Sequence, residues 1–198
     1  SAEDFRLAAG DATIGQTGTL MVTKPGSGYT FRFSYAFGSA SGTLGSASLK
    51  LASSTESKAV YQWTVPAALA KQIPNALWGV GTMTMDIYSG SDYVGSVQAS
   101  FTAYVPESMR PTATLQVTVV NDNTAVQGWG LCVQGLSRLQ YTVKAAGTGG
   151  ATVQECRFSF AGQTVTGSSG TTALIGSAGS LKPSVTVTDS RGRSATVT

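Results

Sequence analysis

Residues 29–37 read YTFRFSYAF, with an aromatic ring at every second position. Side chains alternate between the two faces of a strand but recur every 3.6 residues on a helix, so this segment can only be extended. Tyr29, Phe31, Phe33, Tyr35 and Phe37 then share one face and form part of a core. The same period of two recurs in residues 59–65 (AVYQWTV), where Ala59, Tyr61, Trp63 and Val65 fall together. It returns in residues 81–88 (GTMTMDIY), with Met83, Met85 and Ile87 on one face.

Small, polar and glycine-rich segments separate these runs. Residues 24–28 (KPGSG), 38–42 (GSASG), 89–92 (SGSD) and 189–192 (DSRG) read as turns. Further strands are expected at 19–23, 46–52, 93–105, 113–120, 138–146, 152–160, 163–166, 171–175, 184–189 and 193–198. The stretch before Thr19 reads as irregular. One short helix is expected near 66–73: Pro66 suits a first turn, Leu69 and Ile73 form an i,i+4 apolar pair, and Pro74 ends it.

Residues 106–111 (PESMRP) interrupt all periodicity with two prolines, so the chain divides there into residues 1–107 and 108–198. Short strands with turns every eight to twelve residues or so suit a β-sandwich in each half. The expected fold class is all-β, as two tandem immunoglobulin-like β-sandwich domains. The Cys–Trp–Cys framework of antibody domains is missing, so the likeness is one of architecture.

The chain contains no histidine. That removes Ser-His-Asp and Cys-His catalysis, imidazole acid–base chemistry and histidine-ligated metals together. The ten carboxylates fall mostly beside Gly, Ser or Asn, where Asp favours turns. Asp86, Asp122 and Glu155 are the acids to test against an expectation of no enzyme activity. Asn121-Asp122-Asn123 offers too few oxygens for calcium and reads as a turn. No metal and no cofactor are expected.

Net charge is +3, and the basic residues are dispersed apart from Arg191 and Arg193 in an expected turn. Nucleic-acid binding needs a concentrated basic stripe or a motif, and is not expected. No run approaches the roughly 20 apolar residues that span a bilayer. The first residues lack a signal peptide's basic start and apolar core, and the chain is expected to be cut from a longer protein. Cys132 and Cys156 could form a disulfide or remain two partly buried thiols; spacing does not decide between them. Trp78, before Gly79, and Trp129, between two glycines, lie in expected loops and are the candidate ligand-binding aromatics.

Several local phrases carry a resemblance. In the first half they are residues 31–38 (FRFSYAFG), 63–66 (WTVP), 73–75 (IPN), 81–84 (GTMT), 94–96 (VGS) and 105–112 (VPESMRPT). In the second they are residues 133–137 (VQGLS), 150–153 (GATV) and 185–195 (VTVTDSRGRSA). In this order, from about Ile14 onward, they resemble a family of siphovirus tail-associated proteins, from tailed phages of Gram-positive hosts, that is a domain of unknown function. Residues 44–58 look longer than the family pattern.

The resemblance implies a non-catalytic virion module of the tail tip, baseplate or fibre, made in the host cytoplasm and carried on the phage tail. Its partners would be other virion tail proteins, a host cell-surface glycan, or further copies in a homo-oligomer, without membrane insertion. The alternatives are a carbohydrate-binding module and the immunoglobulin-like stalk of a bacterial surface adhesin.

Overall fold

The computed structural model describes residues 1–128, 130–176 and 182–198. The chain divides into two compact units, Ser1–Ser108 and Met109–Thr198.

In the first unit, a 3-10 turn at Ala2–Asp4 precedes β1 (Arg6–Ala9), β2 (Ala12–Thr13), β3 (Thr17–Thr23), β4 (Tyr29–Phe37) and β5 (Ala40–Thr43). Then come β6 (Leu49–Ser54), β7 (Lys58–Thr64), a 3-10 helix at Ala67–Gln72, β8 (Trp78–Ser89) and β9 (Asp92–Tyr104). They build a four-stranded sheet ordered β1-β3-β7-β6 and a five-stranded sheet ordered β2-β9-β8-β4-β5. Taking β1, β3, β4, β6, β7, β8 and β9 as strands A to G gives ABED facing CFG. That is the immunoglobulin arrangement, with β5 added at the C edge.

The inward positions of each strand follow its alternation. Gly18, Leu20 and Val22 point in from β3, and Gly81, Met83, Met85 and Ile87 from β8. On β4 the inward series has Phe33 and Phe37 fully buried, while Tyr29, Phe31 and Tyr35 are half-buried toward the open edges. Trp63 comes from β7 to meet Phe101 of β9 edge-on, ring centres 5.3 Å apart. Burying a large apolar side chain of this kind contributes about 1.5–3 kcal/mol, and these rings share the core with Ile14, Leu20, Leu69, Met83, Met85 and Ile87.

Three local expectations change. Residues 38–42 are more than a turn: Gly38 (φ +58°) and Ser39 make a two-residue reversal, and Ala40–Thr43 returns along β4. Gln72 Oε1 holds that reversal by accepting from Ser39 N and Ser39 Oγ at 3.0 and 2.9 Å. The helix near 66–73 is 3-10 rather than α. Leu69 N donates to Pro66 O and Ile73 N to Ala70 O, both three residues back, and six residues are too few to nucleate a stable α-helix. The opening stretch is ordered: β1 pairs with β3, whereas β2 crosses over to run parallel to β9.

The second unit comprises β10 (Thr112–Val120), β11 (Arg138–Ala146), β12 (Val153–Phe160), β13 (Gln163–Thr166), β14 (Ser169–Thr171), β15 (Ser184–Asp189) and β16 (Ser194–Val197). A sheet ordered β10-β11-β14 faces one ordered β13-β12-β15-β16. Here the strand after the β12–β13 hairpin joins the opposite sheet directly. The first unit instead inserts β6 before β7. At the centre, Tyr141 of β11 stacks on Phe158 of β12 across the two sheets, 4.3 Å apart and 5° from parallel. Leu139, Val143, Cys156, Ile175, Val185 and Val187 are buried around them.

The strand expected at 171–175 is displaced to Ser169–Thr171. Beyond it the backbone still follows β11, with Thr172 N donating to Leu139 O at 2.8 Å and Ile175 N to Ser137 O at 2.9 Å. Two side chains break the ladder. Thr172 Oγ1 accepts from Leu139 N, and Gln163 bonds both Ala173 N and Leu174 O. Side chains thus take the places that a strand partner would fill.

Candidate functional site

β8 begins three residues earlier than its alternation alone suggests, because Gly79 and Gly81 belong to the strand. A Cβ at Gly79 would lie 2.8 Å from the Phe37 ring, and one at Gly81 2.5 Å from Phe101. The glycines therefore admit core rings rather than break the strand. With 79 and 81 inward, Trp78 and Val80 face outward, 55% and 57% exposed. Trp78 stands directly opposite Tyr104 of β9, and Val80 opposite Thr102.

Tyr104 is 43% exposed, so with Trp78 and Val80 it gives the outer face of the five-stranded sheet an apolar patch at this end. The rows beyond it are hydroxylic: Thr82 opposite Ser100, then Thr84 opposite Gln98, whose Nε2 donates to Thr84 Oγ1 at 3.1 Å. Trp78 thus lies on a strand, in a patch with Tyr104 and Val80. The other end of the face holds Arg32 stacked 4.6 Å above the Tyr88 ring, with Tyr93 edge-on to Tyr88.

A groove of about 500 Å³ lies beside β1, β3 and β7 of the same unit. Its lining includes Phe5, Met21 and Val60, and its charged members are Arg6 and Lys58. Among the described residues no carboxylate lines it.

Trp129 lies outside the described residues. Of the two readings left open for the cysteines, the structure has the thiols: Cys132 and Cys156 are both free. The reason is placement: Cys156 is 6% exposed, inward on β12, while Cys132 is an exposed residue of the segment before β11. Burial pushes the Cys156 thiol above its ordinary pKa, and the neighbouring Glu155 charge adds to the effect.

The arginine pair is structural. Asp189 Oδ1 accepts from the backbone N–H groups of Arg191 and Arg193, both at 2.9 Å, closing the β15–β16 turn. The Arg191 side chain, 7% exposed, donates to Thr148 O at 3.0 Å and Gly149 O at 2.6 Å. Burial lowers its pKa against the opposing pull of Asp189. Arg193 reaches Met109 O at 3.3 Å.

The three acids fall on separate elements: Asp86 is on β8 opposite Ser96, Glu155 pairs with Arg157 at 3.3 Å on an exposed face, and Asp122 follows the end of β10. Asn121 Nδ2 donates to Leu131 O and Asn123 Oδ1 accepts from Ala125 N, so these amides brace the loop. Among the described residues no group of three His, Cys, Asp or Glu side chains could hold a metal ion. No described helix is long and apolar enough to cross a membrane.

The family model described as siphovirus protein of unknown function (DUF859) matches residues 5–198. The chain belongs to this siphovirus family. No curated protein matches this DUF859 chain. Among solved structures, the fibronectin(III)-like modules of Clostridium thermocellum CbhA share 14% identity over 96% of this chain and 88% of theirs, TM-score 0.33. Titin domains Z1Z2, in complex with telethonin, share 11% over 97% and 92%, TM-score 0.33. Murine CRIg shares 13% over 52% of this chain and 98% of its own, TM-score 0.31. The fold of this siphovirus protein is given by its own strand order.

Proposed function

We propose that this chain is a non-catalytic structural module of a phage virion, located in the tail tip, baseplate or fibre. There it spaces or presents a host-contacting surface among other tail proteins. The observation that carries this reading is a siphovirus family match over residues 5–198 on a chain folded as two β-sandwich units. Sandwiches with separate cores suit a spacer, since each holds its shape without a neighbour. Gold-labelled antibody raised against the chain should decorate intact virions at the distal tail. Labelling confined to the capsid, or to infected cells before assembly, would overturn the proposal.

A second reading, direct binding of a host-surface glycan, is favoured by the patch of Trp78, Tyr104 and Val80. The C–H face of a pyranose stacks on an indole, and Tyr104 and Thr102, the cross-strand partners of Trp78 and Val80, bring hydroxyl groups to the same face. The double variant Trp78→Ala/Tyr104→Ala should lose glycan-array signal while its melting temperature stays near the parent's. Unchanged signal, or none for the parent, removes this reading.

A further inference from the structure

The first unit ties its entry to its exit within one sheet. β2 runs parallel to β9, with Ala12 opposite Ala103 and Thr13 opposite Tyr104. Ile14 N then donates to Tyr104 O at 2.8 Å. The inward face of this pair is sealed, with Ala12, Ile14, Ala103 and Val105 6%, 1%, 0% and 3% exposed, while Tyr104 faces outward. Upstream, β1 is laid along β3 with Arg6 opposite Thr23 and Ala9 opposite Leu20.

In a parallel pair, the upstream end of one strand and the downstream end of the other lie at opposite ends. Tension applied before β2 and after β9 therefore drags the strands past each other along their length. All the bonds between them are strained together. An antiparallel pair pulled apart from one end instead opens one bond at a time. The buried inward face adds to the resistance, because sliding β2 along β9 also drags Ala12 and Ile14 out of the core.

We propose that the β2–β9 pairing is a mechanical clamp that lets the first unit carry load between its two ends. The resistance is a property of the fold, and only its use in holding a tail-borne part against a pull rests on the virion reading.

Single-molecule pulling on the full chain tests it, with handles at residues 1 and 107 or at residues 75 and 107. Val105 N donates to Leu77 O at 2.8 Å, so the second pair of handles peels β8 from β9 from one end. The 1–107 geometry should unfold the unit at a clearly higher force. Equal forces would overturn the clamp whatever the chain's place in the virion. Ile14→Pro deletes the donated N–H and should raise the unfolding rate at constant force about fivefold in the 1–107 geometry, the kinetic weight of one backbone hydrogen bond. Ile14→Val keeps that N–H and should stay near the parent. Equal acceleration of Ile14→Pro in both geometries would mean general destabilisation and would also overturn the clamp. Should that variant not fold, the two geometries on the parent chain decide alone.

Discussion

The indole of Trp63 lies over the backbone of Gly18, its partner across β3 and β7, so that a Cβ added at Gly18 would sit 2.5 Å from the indole nitrogen. Trp63 is 1% exposed, and its N–H finds no acceptor in this packing. Gly18→Ala should therefore force the ring off its position and destabilise the first unit by about 1–3 kcal/mol, the usual cost of overpacking. Urea unfolding followed by tryptophan fluorescence measures it. A change under a few tenths of a kcal/mol would show that the indole can move aside freely.

Lys24 is 8% exposed, yet among the described residues no carboxylate forms an ion pair with its ammonium group. Nζ donates instead to the carbonyl oxygens of Gly26, Thr55 and Glu56 at 3.2, 2.7 and 3.1 Å, tying the β3–β4 turn to the β6–β7 turn. Lys24→Met keeps the stem and removes the donors. It should cost roughly 2–3 kcal/mol, because charged hydrogen bonds are lost and carbonyls are left unpaired. Hydrogen exchange should rise at residues 55–58 in particular; a uniform rise over the unit would contradict this local role.

The two thiols should behave as unlike groups. Native protein treated with a thiol reagent near neutral pH should be modified at Cys132 within minutes, while Cys156 reacts only after denaturant is added. Mass spectrometry of the intact chain counts the adducts. Two rapid adducts on native protein would mean that the second core opens far more readily than its packing allows.

Alkaline pH should weaken both units. Burial raises the pKa of Tyr61, and of Tyr141 with help from a charge at Cys156, and Cys156 itself is raised by burial and Glu155. In each case the unfolded chain gives up its proton first, so the native state holds more protons. Stability is then fully present below the ordinary values of 9.0 for Cys and 10.0 for Tyr, and declines as pH climbs past them. The denaturation midpoint should be level from pH 7 to 8 or so and fall on approaching the tyrosine range. Tyr141→Phe should blunt the fall in the second unit, although it also loses the bond from the phenol to Gly167 O at 2.8 Å.

Much of the strand pattern was legible because alternation is a local property of one segment. Residues 29–37, 138–146, 163–166 and 184–189 coincide with β4, β11, β13 and β15. What escaped depends on a partner. Ala12–Thr13 has no pattern of its own and is a strand because β9 lies beside it. Ala40–Thr43 reads as turn because its residues are small, yet the Gly38 reversal lays it on β4. At the candidate site, Trp78 stood out as a lone aromatic beside a glycine. Tyr104, one member of an alternating run, carried no sign that it faces Trp78, since cross-strand register belongs to two strands at once. Cysteine spacing said nothing of depth, which β12 alone decides for Cys156.

The three carbonyls around Lys24 have a consequence for the conditions the chain can endure. Carbonyl oxygens have no proton to gain in mild acid, and they bond the ammonium directly rather than attracting it from a distance. The junction of those two turns is therefore indifferent to acidification and little screened by salt. A surface lysine–carboxylate pair in its place would fade under either. On the virion reading proposed above, such a fastening would keep its grip across unbuffered surroundings.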